Sequence, residues 1–127
     1  MLLPDAAAQA HVVEVVRIAD PVGAWGSDSV TGDVVAVWDA APARSALDLV
    51  AGLPEGELRR CFEPAYGIRA HGPDGLLLSI SFCFSCHGAW LAGPGVPADL
   101  RGMHGFDADS PQARELLDRF RASAAAA

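Results

Sequence analysis

A four-residue turn constrains the middle of this 127-residue chain more tightly than any other feature. Gly72-Pro73-Asp74-Gly75 combines the preset φ of proline, the backbone-bonding side chain of aspartate and the tolerance of glycine for positive φ. The flanking runs Tyr66 to His71 and Leu76 to Phe84 are rich in strand-forming residues, so the segment predicts a β-hairpin. Closing the loop with His71 opposite Leu76, and continuing without a slip, places Cys61 opposite Cys86. Pro64 cannot donate a ladder hydrogen bond and is expected to bend or end the first strand near Cys61. One hairpin thus carries Cys61, Cys83 and Cys86, with His87 beside them, to one end.

Side chains alternate along a strand. Leu76, Leu78, Ile80, Phe82 and Phe84 therefore share one face, and Leu77, Ser79, Ser81 and Cys83 the other. The apolar set is expected to form the core. Further strands are read at His11 to Ala19, Thr31 to Trp38 and Gly88 to Ala92. Asp39 to Pro42 supply helix-start chemistry, with Pro42 at the first helical position and Leu47, Val50 and Ala43 or Ala46 as the apolar stripe; Gly52 and Pro54 stop that helix. Near the C-terminus Ser110 and Pro111 open a second helix, in which Ala113, Leu116, Leu117 and Phe120 form one buried face and Glu115 and Arg119 an exposed pair. The stretch from Gly93 to Gly105 reads as irregular. These elements predict a single α+β domain over residues 1–127, a two-layer arrangement of an antiparallel sheet of about five strands with two helices on one face, and frayed ends at 1–9 and 123–127.

Half the residues are hydrophobic, enough for a core without covalent staples. Nine basic residues, all arginine, oppose sixteen acidic ones, giving a net charge of −7, which disfavours nucleic acid as a partner. No apolar run reaches membrane-spanning length, and residues 1–10 lack the basic start and apolar stretch of an export signal. A cytoplasmic location is the expectation, with a protein partner or a small molecule rather than a membrane. Three cysteines, an odd number, fit reduced thiols better than a disulfide framework.

Cys61, Cys83, Cys86 and His87 make a three-sulfur, one-nitrogen set of the kind that binds a soft transition metal, zinc first. The same residues admit other chemistry. Cys83 to His87 matches the five-residue pattern of c-type haem attachment, with Met103 or His104 as the opposite ligand, but such attachment belongs to exported proteins, so haem ranks below metal. A dithiol pair could do redox work, and a thiolate assisted by His87 or His104, with an acid such as Glu63 to orient the base, could act as a nucleophile. Cys83, Cys86 and His87 are the catalytic candidates in that case. Arg59 and Arg60 could favour a thiolate or hold an anion. His71 belongs to the far end of the hairpin. Trp25, Trp38 and Trp90 read as packing residues ahead of a binding surface. The alternative from a different class is an acidic, non-catalytic interaction protein, such as an immunity or accessory protein, in which the cysteines only pack.

The run Cys61-Phe62-Glu63-Pro64-Ala65-Tyr66-Gly67-Ile68-Arg69, followed by Leu78-Ser79-Ile80-Ser81-Phe82-Cys83-Phe84-Ser85-Cys86 and by Ser110-Pro111 opening a helix, resembles small uncharacterised bacterial proteins. The resemblance covers roughly residues 58 to 122 and carries over Cys61, Pro64, Gly67, Cys83 and Cys86. His87 lies outside the shared pattern. The resemblance implies no established activity.

Overall fold

The structure is a computed structural model that describes residues 1–24 and 28–127. Its frame is one antiparallel sheet of six strands: β1 (Val12–Ile18), β2 (Gly32–Asp39), β3 (Tyr66–Gly72), β4 (Gly75–Cys83), β5 (Gly88–Ala92) and β6 (Gly102–Gly105), in the spatial order β2-β1-β3-β4-β5-β6. Two helices complete it, α1 (Ala40–Ala51) and α2 (Pro111–Ala126). The α+β architecture follows the sequence reading. The sixth strand falls inside the stretch read as irregular, where only Gly102 to Gly105 align with β5.

Both helices lie on one face of the sheet. Ala43, Leu47 and Val50 of α1 and Ala113, Leu116 and Phe120 of α2 join Val13, Val15, Ile68, Leu78, Ile80, Phe82, Ala89 and Leu91 in one buried cluster. Phe120 is its hub: its ring lies 5.7 Å from those of both Phe82 and Tyr66 and is stacked at 6.3 Å on Trp38. Leu117, expected on the same buried stripe, is only half-buried. Trp38 therefore packs, as read; Trp25 lies outside the described residues.

The helix starts differ in detail from expectation. Ser110 caps α2 by accepting the Ala113 N–H at 3.2 Å, with Pro111 at the first helical position. In α1 the first helical residue is Ala40, so Pro42 stands at the third position, and Asp39 makes no side-chain cap. Proline is tolerated there because the first-turn N–H groups have no helical acceptor. Glu115 and Arg119 pair at 3.4 Å, and Arg119 also donates to Ser45 of α1 at 3.0 Å. Both ends of the chain take defined places: Asp5–Gln9 form a 3-10 turn pinned by Arg44, which donates to the carbonyls of Ala7 and Ala10, and α2 continues to Ala126.

The hairpin turns where expected, with His71 opposite Leu76, yet its register slips one step later. Ala70 pairs with Leu78, leaving Leu77 unpaired as a bulge, and the Leu77 carbonyl instead accepts the Gly95 N–H at 2.7 Å. From there to the Tyr66–Phe82 pair every partner is displaced by one from the simple register. A sequence pattern cannot show this slip, because the competing acceptor site is filled by a residue eighteen positions away. Among the described residues, no helix is long and apolar enough to cross a membrane.

Candidate functional site: three thiols on the helix-free face

Alternation puts Glu14, Arg69, His71, Ser79, Ser81, Cys83, Trp90 and Met103 on the sheet face that the helices leave uncovered. A strap of chain, residues 53–65, closes one end of that face without forming helix or strand. It leaves α1 past Gly52 and runs along β6. The Asp107 N–H bonds the Pro54 carbonyl at 2.9 Å, and Gly56 passes so close that a Cβ there would come within 2.4 Å of Phe106 backbone atoms. Gly105 faces the same constraint, since its Cβ would come within 2.2 Å of the Gly56 carbonyl oxygen. The strap then meets the β4–β5 turn, where Arg59 N–H bonds the Cys86 carbonyl at 2.8 Å. Finally it turns Phe62 inward to pack on Cys83 and Cys86, with Trp90 and Met103 at the margin.

This path brings the three cysteines together. Cys61 Sγ touches Cys86 Sγ at 2.6 Å, and the Ser85 hydroxyl lies 3.4 Å from Cys83 Sγ and 3.9 Å from Cys86 Sγ. Cys61 is exposed, whereas Cys83 and Cys86 are 1% and 0% accessible. The meeting of Cys61 and Cys86 agrees with the sequence reading, but the ladder does not produce it: β3 begins at Tyr66, just beyond Pro64, and the slipped register would have pointed Cys61 at His87. The strap, not strand pairing, sets the contact.

Burial pushes the Cys83 thiol up from its ordinary value, and its hydrogen bond with the Cys86 thiol adds to that. The Ser85 hydroxyl and the backbone N–H groups of Glu63 and Cys86 offset this only in part. Cys83 is therefore held protonated at neutral pH.

His87 stands apart from the sulfurs. It adopts a left-handed conformation (φ 54°) in the four-residue connection between Cys83 and Gly88, and its Nδ1 accepts the Ala108 N–H at 3.1 Å. The ring lines a cleft of about 460 Å3 with Glu55, Glu57, Leu58, Arg59 and Asp107. His104 bonds the Leu100 carbonyl at 2.6 Å, and Glu63 is exposed, reaching Cys83 through its backbone. Among the described residues no group of three or more His, Cys, Asp or Glu side chains is arranged to hold a metal ion.

Phe62 and Ser85, which enclose the thiols, carried no signal beyond their positions beside cysteines. A second polar group was also missed. Glu14 accepts from Arg69 Nε at 3.1 Å and Nη2 at 3.2 Å and is bonded to His71 Nε2, while Arg69 Nη1 donates to the Val30 carbonyl. Burial would raise the Glu14 carboxyl, but the His71 hydrogen bond and the Arg69 charge outweigh it and leave the pKa lowered. His71 is thereby occupied at the turn end of the hairpin, away from the sulfurs.

No protein-family model matches the chain, and no curated protein or solved structure is significantly similar to it.

Proposed function

We propose that this chain is a thiol–disulfide protein in which Cys61 and Cys86 alternate between a dithiol and a disulfide. The observation that carries the reading is the direct contact of two sulfurs with opposite accessibility, Cys61 exposed and Cys86 sealed. An exposed thiolate can attack a disulfide or another oxidised sulfur from solvent. A buried neighbour can then resolve the mixed disulfide by attacking the Cys61 sulfur. The oxidised partner is a small molecule or protein disulfide, which leaves as two thiols.

A soft-metal site, zinc first, is the second reading, and the convergence of three thiols favours it. The geometry supports it less well. Two thiolates on one tetrahedral zinc stand about 3.8 Å apart, given Zn–S bonds of about 2.3 Å, so Cys61 and Cys86 would have to separate. His87 would have to give up Ala108 and leave its cleft to become the fourth ligand; otherwise solvent fills that position.

One preparation tests all three uses of the cysteines. Reduced protein, purified without chelator, is assayed for metal and then treated with excess glutathione disulfide. The expected result is little metal, rapid loss of two thiols and a mass decrease of about 2 Da without an adduct. Near-stoichiometric zinc, lost in Cys83→Ser while the domain stays folded, would instead establish the metal site. Thiols that bind nothing and react only after denaturation would leave the packing role, and with it the interaction-protein alternative.

A further inference from the structure

Cys83 has no part in the two-thiol cycle, yet it lies against Cys86. Both sulfurs belong to the small cluster under Phe62, both touch the Ser85 hydroxyl, and only Phe84 and Ser85 separate their residues in the β4–β5 turn. Cys86 is thus the shared neighbour of the exposed Cys61 and of the buried Cys83. Resting on the dithiol reading above, we infer that Cys86 is a shared partner: oxidation captured at Cys61 is passed inward to a Cys83–Cys86 disulfide, and Cys61 is returned to the surface as a free thiol.

The sequence of steps balances. The Cys61 thiolate attacks a small-molecule disulfide RSSR, forming Cys61–S–S–R and releasing one RS⁻. Cys86 then attacks the Cys61 sulfur, forming Cys61–S–S–Cys86 while its proton passes to the departing sulfur, which leaves as RSH. In the added step Cys83, giving its proton to solvent, attacks Cys86 Sγ; the Cys83–Cys86 bond forms, the Cys61–Cys86 bond breaks, and Cys61 leaves as a thiolate that solvent reprotonates. No further oxidant is consumed. Two physical features set the direction. The leaving sulfur is the one that water can solvate, and the transfer replaces the buried Cys83 S–H by a disulfide sulfur, which is better suited to an apolar pocket. Because burial holds Cys83 protonated, the inward transfer is the slow step.

An odd number of thiols then has a use. One disulfide always leaves one cysteine free, and Cys86 decides which. Before transfer the free thiol is buried and silent; after transfer it is exposed and can form a mixed disulfide with a second molecule.

The test is a time course with glutathione disulfide, quenched in acid and mapped by peptide mass spectrometry, with maleimide labelling of Cys61. In the wild type, Cys61–Cys86 should appear first and give way to Cys83–Cys86 while Cys61 regains its reactivity. Cys83→Ser and Cys83→Ala, checked for folding by circular dichroism, should stop at Cys61–Cys86 with Cys61 permanently blocked. Cys61→Ser should form Cys83–Cys86 about tenfold more slowly, because no exposed thiol meets the oxidant. A wild-type Cys61–Cys86 bond that persists to equilibrium would overturn the inward transfer and leave the dithiol reading standing. Oxidation of Cys61→Ser as fast as the wild type would overturn the assignment of Cys61 as the point of attack. Absence of any protein disulfide would overturn both proposals.

Discussion

The two faces of the sheet are built on different terms. Under the helices, one continuous apolar cluster joins five strands to α1 and α2, and aromatic rings meet around Phe120. On the opposite face burial is local: Phe62 covers two thiols, and Glu14, Arg69 and His71 satisfy one another beside the Val30 carbonyl. Hydrophobic burial is non-directional and scales with area, so the first face carries the stability of the domain. The second face buries smaller, separate groups. It places polar and reactive groups, held by a strap that lies outside the ladder of strands.

Phe120→Ala attacks the first face at its centre and should cost about 3–5 kcal/mol, read from denaturant midpoints at constant slope. Phe62→Ala removes a ring of the same size from the second face. It should cost about 2 kcal/mol and at the same time expose Cys83 and Cys86 to alkylation in the native state, which Phe120→Ala should do only in proportion to global unfolding. Equal costs, or unchanged thiol reactivity in Phe62→Ala, would erase the distinction between the faces.

Glu14→Gln should cost about 1 kcal/mol at neutral pH, since two charge-assisted partners lose their acceptor on a partly solvated surface. The sign with pH follows from the lowered carboxyl. In the wild type its stabilisation is present above the unfolded-state value, which is the ordinary carboxylate value of 4.5, and is lost as the pH falls through the lower folded-state pKa. Acid titration of stability should therefore be flatter in Glu14→Gln. An unchanged slope would mean that the Arg69 and His71 contacts contribute nothing measurable.

Cys61→Ser should have the smallest effect on stability, within about 0.5 kcal/mol, because the residue is exposed. It should nevertheless remove the fast-reacting thiol seen in titration of the native protein. A large loss of stability would move Cys61 from the chemistry of the strap to its structural support.

The hairpin, its turn and the division of β4 into an apolar and a polar face were legible because they depend on residues near in sequence and on strict two-residue alternation. The Ser110 cap and the 115–119 ion pair are local in the same way. The convergence of Cys61 on Cys86 was legible too, although for a reason that the slipped register replaces. The Glu14 group was not, because β1 and β3 pair across an intervening strand and helix, so the parity that aligns Glu14 with Arg69 and His71 appears only once the sheet order is known.

By itself the sequence determined five of the six strands and both helices, which face of the hairpin is apolar and that the cysteines gather at its open end. The tertiary structure alone decided the Leu77 bulge, the course of the strap past Gly56 and Gly105, the turning of His87 toward Ala108 and the contact of an exposed sulfur, that of Cys61, with a buried one, that of Cys86. Those features depend on backbone groups far apart in the chain competing for the same hydrogen bonds and the same space, and a local pattern of residues holds no record of which competitor wins.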